Sequence, residues 1–243
     1  MVSTQRLGAR PGWGDLGSGG LRWDAGEPLS RCPEGENAAR CVGPATVRSD
    51  PSLLFRAVTT RDRLSTEAAR QFAELGYHGT SIGSLAKALG IQKSSVYSHI
   101  DNKEDLLVEL AGTGAAHFHE ALDSVPEDVD PLDRLRLALH AHLQVVHTQL
   151  DVATIWLKEW RFLTGQPRKD FLRSRHRYEK RIRRLFEEAI GSRQLPEDLD
   201  LDHAVLLFFS VGNWAYTWMS KKTDVDAEAD AFWVLMQDGL ARS

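Results

Sequence analysis

The amino-acid sequence predicts an all-α protein. From about residue 56 to the end, apolar residues recur at helical spacing, and no alternating run of convincing length appears. Glycine and proline fall at most of the expected helix ends. We therefore expect a non-helical segment over 1–55, a small helical domain over 56–106 and a larger helical domain over 107–243.

Composition restricts the classes of protein to which the chain can belong. With 243 residues and 42% apolar content, it can form one sizeable core or two small ones. The net charge of −4 excludes a generally basic nucleic-acid coat but leaves room for a local phosphate-binding surface. Cys32 and Cys41 supply neither a disulfide framework nor a paired metal motif.

Location is predicted by what the sequence lacks. No charged and then apolar leader opens it, and the longest largely apolar run, 204–219, is too short for a bilayer core of about 30 Å. We expect a cytoplasmic protein without a membrane partner.

Segment 1–55 holds nine of the 19 glycines and five of the nine prolines, without any periodic pattern. Such a segment cannot bury enough apolar surface to offset its ordering entropy, so we expect disorder. Its arginines are mixed with acidic residues. Both an inert tail and a flexible arm on DNA remain open.

Four helices are predicted between residues 56 and about 123. The first carries an apolar stripe of four residues and is closed by Gly76, while Thr80 is a candidate N-cap for a short second helix that Gly90 ends. A third helix runs over about 92–100. Asn102 and Asp105 form a capping-box pattern that opens the fourth. The first stripe is Leu64, Ala68, Phe72 and Leu75.

Five further helices follow from apolar periodicity and from the positions of Pro131, Pro167 and Pro196. They are expected near 132–149, 152–164, 168–191, 200–220 and 226–241.

The second and third helices, joined by a turn at Gly90, have the pattern of a helix-turn-helix, whose second helix can enter the DNA major groove. A groove-reading helix needs short hydrogen-bonding side chains and some positive charge. Ser94 and Ser95 are short donors, and Lys93 supplies charge. On pattern alone, a solvated face of an ordinary three-helix cluster is the alternative.

RDRLSTEAARQFAELGYHGTSIGSLAKALGIQKSSVYSHIDNKEDLL, residues 61–107, resembles the N-terminal DNA-binding domain of the TetR family of transcriptional regulators. FAELGYHGTS, the turn over 85–91, KSSVYSHI and NKEDLL carry the resemblance, in register and without insertions. It implies a three-helix helix-turn-helix domain at the N-terminus and a C-terminal helical domain for ligand binding and dimerisation.

The resemblance also implies a set of contacts to a palindromic operator in double-stranded DNA. Thr80 and the start of the second helix would hold phosphate, and Lys103 would donate to phosphate from the fourth helix. The third helix would present its remaining contacts to the groove and the strands. These are Lys93, Ser94, Ser95, Tyr97, Ser98 and His99.

Some positions depart from the family pattern. Gln92 replaces a common serine N-cap, Gly83 and Ser84 replace charged residues, and Ser65 and Gln71 occupy normally apolar sites. We expect a less well capped third helix and a somewhat less stable small domain.

The helices near 200–220 and 226–241 are predicted to pair two protomers. The first is apolar nearly all round, so it needs cover on both sides. Two helices from each protomer would make a symmetric four-helix interface, with Gly212 and Ala215 permitting close approach. The alternative is an ordinary core helix in a monomer.

Aromatic residues between 156 and 218 are candidates for an effector pocket, although each could instead belong to the core. We expect Trp156, Trp160, Trp214 and Trp218 to line it, which favours a lipophilic or aromatic effector. The basic run 168–184 is either a solvated face or a site for an anionic ligand. The layout of this half is similar to regulators that respond to acyl-CoA thioesters, whose phosphates would suit arginines.

Rival functions have less support. GxSxG, HExxH, Walker A and dinucleotide-binding spacings are absent, so we expect no enzyme and no cofactor. His140 and His147 lie two turns apart, but solvated or core histidines explain them more simply than a metal site. The prediction is a ligand-responsive repressor; an interaction or sensor module without specific DNA binding is the alternative.

Overall fold

The computed structural model describes residues 59–240, and the predicted disordered segment 1–55 lies outside this range. The described residues form nine α-helices and two short 3-10 helices, and they contain no strand. The α-helices are α1 Thr60–Leu75, α2 Ile82–Leu89, α3 Lys93–Val96, α4 Lys103–Asp123, α5 Pro131–Thr148, α6 Leu150–Leu157, α7 Gly165–Gly191, α8 Leu201–Trp214 and α9 Val225–Leu240. The 3-10 helices are Glu159–Phe162 and Ala215–Thr217.

The start of α2 differs from the prediction by one residue. Ser81 is the N-cap, in a reciprocal capping box with Ser84. Thr80 is instead buried, and its hydroxyl donates to the Gly76 carbonyl at 3.1 Å. Thr80 therefore closes the turn before α2, and the N-cap is the next hydroxyl residue, Ser81.

The capping box that opens α4 is confirmed. The Asn102 side chain accepts from the backbone N–H groups of Glu104 and Asp105, and Asp105 accepts in return from the N-cap backbone. Gly90 ends α2 in the left-handed conformation, at φ 68°, which favours glycine.

Three predicted helices are shorter than expected. The third covers only 93–96: Gln92 provides no side-chain cap at its start, and at its end the chain turns at 97–99 before α4 begins. The predicted helices 152–164 and 200–220 each end early and continue as a 3-10 turn. Leu75, expected in the apolar stripe of α1, is exposed.

Helix α4 runs through the boundary predicted between residues 106 and 107, so both parts of the protein share it. It packs on α1, α5, α6 and α7. At Gly114 the approach of α6 is close, since a Cβ added there would lie 2.8 Å from the Cβ of Trp156. A single continuous core results.

Helix α8 has the two apolar faces that the sequence predicted. Its small residues, however, lie on the face that packs inside the protomer and not on the outward face. Gly212 and Ala215 are buried inside the protomer. A Cβ on Gly212 would lie 2.8 Å from His142 Cδ2, so this glycine admits a buried ring of α5 rather than a partner helix. The prediction that these two residues permit close approach of a second protomer is therefore wrong.

Among the helices of residues 59–240, none is both long and apolar enough to cross a membrane.

Candidate DNA-binding surface and effector cavity

The segment 92–100 presents one polar surface to solvent. Val96 and Ile100 are buried in the core, as the sequence predicted. The exposed residues are Gln92, Lys93, Ser94, Ser95, Tyr97, Ser98 and His99. Short hydroxyls with one lysine allow a helix backbone to approach a groove closely.

Internal hydrogen bonds hold the end of this surface in place. The Ser98 hydroxyl donates to the Ser95 carbonyl at 2.7 Å. Arg61 donates to the His99 carbonyl at 3.1 Å and also forms an ion pair with Glu109 of α4. The guanidinium of Arg61 thus connects α1, the recognition segment and α4.

Lys103 lies at the base of the turn before α2. Its Nζ donates to the carbonyls of Tyr77 and Thr80, at 2.7 and 2.8 Å, and lies 4.1 Å from the centre of the Tyr77 ring. Partial burial lowers the pKa of this ammonium group. One of its three N–H bonds remains for a phosphate.

The Thr80 side chain faces inward, so its hydroxyl is not presented to solvent. The exposed residue at this point is Ser81, and the first backbone N–H groups of α2 follow it. A phosphate at the start of α2 would therefore meet backbone N–H groups and Ser81. Thr80 and Lys103 shape the turn behind them.

A second set of contacts joins the small domain to the region after α6. The buried Glu159 carboxylate accepts from the backbone N–H of Tyr77 at 2.8 Å. The Phe162 ring stacks on Tyr77, with centroids 5.7 Å apart, and meets His78 edge-on at 4.4 Å. The 3-10 helix 159–162 is thus a direct link to the loop before α2.

Comparison with known sequences agrees with this architecture. Residues 65–110 match the family described as bacterial regulatory proteins, tetR family, and residues 128–240 match the tetracyclin repressor-like C-terminal domain. The two matches together cover most of the described chain and follow its division into helix-turn-helix and helical body. This chain belongs to the TetR family of transcriptional regulators.

Relatives cover most of the chain at low identity. The fatty acid metabolism regulator protein of Bacillus subtilis is 24% identical over 177 residues, which is 71% of this chain and 91% of that protein. The repressor KstR2 of Mycobacterium tuberculosis is 28% identical over 144 residues, which is 58% of this chain and 72% of that protein.

Solved structures show the same fold. PfmR from Thermus thermophilus aligns with a TM-score of 0.68 at 28% identity, covering 77% of this chain and all of that one. AibR in complex with isovaleryl coenzyme A and operator DNA aligns with a TM-score of 0.65 at 26% identity, covering 72% and 96% of the two chains. The protein has the all-helical TetR fold, and it is a DNA-binding regulator.

A cavity of about 430 Å³ lies between α4 and α7, and we call it the α4–α7 cavity. Its wall is mostly apolar, and His119, Asp170, Ser174 and Arg177 add polar groups; the Asp170 carboxylate pairs with Arg173. The apolar lining includes Val108, Ala111, Ala115, Leu163, Pro167 and Phe171. This size and lining suit a small lipophilic ligand.

The four tryptophans predicted as pocket residues do not come together. Trp156 is buried behind Phe171, and Trp160 stacks on Phe171 with centroids 5.2 Å apart. Trp214 and Trp218 are 64% and 38% exposed, so they lie on the outer side of the protomer. The prediction that they line a pocket with Trp156 is wrong, because Trp214 at the end of α8 and Trp218 after the 3-10 helix both face outward.

The basic helix α7 is largely neutralised by acidic neighbours. Arg181 pairs with Asp123 at 2.6 Å, Arg184 with Glu188 at 3.0 Å, and Arg183 with Asp202. Within residues 59–240, Arg177 has no ion-pair partner, and it lies exposed at the rim of the α4–α7 cavity. Arg175 lies over the rings of Trp156 and Trp160.

Histidines make no metal centre in residues 59–240, where no group of three suitable ligands occurs. His140 pairs with Asp226 at 3.1 Å. His142 is completely buried beside Tyr178, and burial lowers its pKa to about 3.

Sequence reasoning missed Glu159 as a functional candidate, whereas Phe162 and Phe171 belong to the aromatic group between 156 and 218 that it named for the pocket. A signal existed for Glu159, because it is an acidic residue within the aromatic run IWLKEWRF. A carboxylate in such a run is buried only when it has a partner.

Proposed function

We propose that this protein is a dimeric repressor that leaves a palindromic operator when an acyl-CoA-like thioester fills the α4–α7 cavity. The observation that carries the effector class is an apolar cavity whose rim holds an arginine, Arg177, without an ion-pair partner among residues 59–240. The comparison with AibR, a structure that contains isovaleryl coenzyme A, supports the same class.

The cavity divides into two chemical parts. Phe171 and Leu163 offer hydrocarbon surface for an acyl chain, whereas Arg177 offers a guanidinium for a phosphate. Most other arginines of α7 pair with carboxylates, whereas Arg177 is unpaired within residues 59–240 and lines the cavity. Arg177 is therefore the arginine available to a phosphate of the ligand.

The same cavity is connected to the DNA-binding surface. Leu163 lines it and directly follows Phe162, whose ring packs on Tyr77 and His78. A ligand that displaces Leu163 would shift the loop before α2. It would then favour a protomer arrangement whose recognition helices no longer match major grooves about 34 Å apart.

Dimerisation is assigned to α8 and α9. Their outward faces expose large apolar side chains, and a patch of this kind usually marks a protein interface. The residues are Leu206, Leu207 and Trp214 of α8 and Val234 and Leu235 of α9, together with Trp218 just after the 3-10 helix. A second copy would cover them in a symmetric four-helix contact. We also assign the protein to the cytoplasm, where the chromosome lies, and propose no catalytic activity.

Fluorescence anisotropy with DNA from upstream of its own gene tests this function. We expect tight operator binding that octanoyl-CoA reverses, whereas free CoA and octanoate do not. Arg177→Ala should raise the octanoyl-CoA concentration needed for release by about tenfold, which corresponds to one charge-assisted hydrogen bond. Lys180→Ala, an exposed cation elsewhere on α7, is the matched control.

Three results would contradict the proposal. Release of DNA only by an uncharged compound would remove the acyl-CoA class. Equal responses of the Arg177→Ala and Lys180→Ala proteins would remove the rim site. Failure to bind any upstream DNA even at low salt would favour an interaction module instead.

A further inference from the structure

A second concavity, of about 520 Å³, lies where α1, α4, the junction of α5 with α6, and residues 219–221 meet. We call it the α1 cleft. It uses Glu109, Thr113 and His117 of α4, whereas the α4–α7 cavity uses Val108, Ala115 and their neighbours. Because these two sets lie on opposite faces of one helix, the two concavities are separate.

The α1 cleft contains imidazole nitrogens without partners in the described part of the chain. Neither ring nitrogen of His147 has a hydrogen-bond partner there, nor has Nδ1 of His117, although all three atoms are buried. Buried polar atoms in native proteins are normally hydrogen-bonded, and leaving them unmet costs stability. Both side chains line the cleft, with these nitrogens just behind its surface, so a turn of either ring would offer a nitrogen to a ligand there.

The cleft also holds a carboxylate that has no ion-pair partner among residues 59–240. Asp151, in the first turn of α6, is partly buried and forms no hydrogen bond or ion pair within residues 59–240. Burial, and then the nearby Glu74, raise its pKa. The nearby Arg70 is engaged by Glu67 and Glu74.

A lining carboxylate that is unpaired within the described part of the chain favours a cationic ligand. Glu109 is already satisfied by Arg61 and Ser65. Asp151 is attracted by Lys221 and Arg70, but neither cation comes within ion-pair distance of it. The rest of the wall combines hydroxyl and amide side chains, among them Thr66, Thr113 and Gln149, with an apolar part. The apolar part consists of Ala69, Leu110, Val146, Leu150, Val152 and Met219.

We propose that the α1 cleft binds a small lipophilic amine. Its ammonium group would donate to the Asp151 carboxylate and to an acceptor nitrogen of His147 or His117, and its hydrocarbon body would lie on the apolar wall. The ligand class and the face of α4 both differ from those of the acyl-CoA site, so this inference goes beyond the proposed function.

A ligand in the α1 cleft would contact the DNA-binding domain directly. Ser65, Thr66 and Ala69 of α1 line it, opposite residues of the helical body. An amine bound there would bridge the two parts of the protomer and act as a second input, separate from the acyl-CoA site.

Calorimetric titration of the DNA-free, full-length protein tests the proposal. The probe is phenethylamine, with phenethyl alcohol and hydrocinnamate as neutral and anionic analogues. We expect saturable binding of one amine per protomer, and binding of both analogues weaker by at least about tenfold, because only the cation pairs with the carboxylate.

Two variants locate the site. Asp151→Asn should weaken phenethylamine binding by about tenfold or more, whereas Asp170→Asn, the same change beside the α4–α7 cavity, should leave it unchanged. His147→Leu should also weaken binding, and thermal melting checks that each variant is folded. If one of these two site variants does not fold, the other still tests the site.

Three outcomes would overturn the amine site. These are absence of saturable amine binding to the parent protein, preference for hydrocinnamate, and equal amine affinities of the Asp151→Asn and Asp170→Asn proteins. Octanoyl-CoA release of operator DNA is measured separately on the Asp151→Asn protein. The two proposals therefore succeed or fail independently.

Discussion

The Glu159 carboxylate accepts a hydrogen bond from the backbone N–H of Tyr77, 82 residues earlier in the chain, at 2.8 Å. The carboxylate is buried, and it joins the loop before α2 to the segment that follows α6. This bond therefore ties the loop before α2 to the segment that leads into Leu163, a residue of the α4–α7 cavity wall.

Removal of this bond should destabilise the protein and weaken the communication between sites. Glu159→Ala removes the acceptor and should lower the free energy of unfolding by about 1–3 kcal/mol. Glu159→Gln keeps an acceptor oxygen and should cost less. Urea unfolding measures both, and equal losses for the two variants would show that the hydrogen bond is not what stabilises this region.

Lys103→Ala should reduce affinity for operator and for unrelated DNA in the same proportion. The variant lacks a cation near the phosphates and also the two hydrogen bonds to carbonyls that shape the turn. The dependence of log affinity on log salt should become shallower by roughly one unit for each phosphate that is no longer neutralised. A loss of affinity for the operator alone would contradict a contact between Lys103 and the DNA backbone.

Ser94→Ala and Ser95→Ala should change sequence preference rather than general affinity. Both hydroxyls are exposed on the recognition segment, and a hydrogen bond to a base edge is worth about 1 kcal/mol of discrimination. Selection from a randomised operator library measures this preference. If the Ser95→Ala protein and its parent select the same sequences, Ser95 does not read bases.

Gly212→Ala should destabilise the protomer by about 1–3 kcal/mol, because the added Cβ would lie 2.8 Å from a buried His142 atom. Gly112→Ala is the control. A Cβ there meets nothing within 4 Å, so better helix propensity should stabilise the protein slightly. Thermal unfolding compares them, and equal melting temperatures would refute the close approach.

Stability should fall as pH drops from 7 to 5. Burial lowers the pKa of His142 to about 3, whereas the same group titrates near 6.5 when unfolded. Below pH 6.5 the unfolded chain therefore binds a proton at this residue, whereas the folded chain does not. This difference lowers the free energy of unfolding by about 2 kcal/mol at pH 5. His142→Gln should reduce this slope, and His176→Gln, at an exposed site, should not.

Much of the fold could be predicted from local pattern. Spacing of Leu64, Ala68 and Phe72 located α1, and the alternation of inward Val96 with outward Ser94 located the recognition surface. These features depend on residues within a few positions of one another, so the sequence expresses them directly.

The departures from the family pattern show where prediction stopped. Gln71 and Ser84, each unusual alone, are joined by a hydrogen bond of 2.7 Å between α1 and α2. Ser65 likewise donates to Glu109. Their pairing depends on helix packing that no local pattern encodes.

The sequence by itself determined where most helices lie, the Asn102 cap of α4, the family and the polar face offered to DNA, because periodicity and capping are short-range effects. Tertiary structure alone decided that Gly212 admits His142 and that Trp214 and Trp218 point outward. It also decided that Arg177 meets no carboxylate within residues 59–240, whereas most other arginines of α7 do. Each of these outcomes depends on which helices pack together and at what rotation, so it is fixed by contacts between residues far apart in the chain.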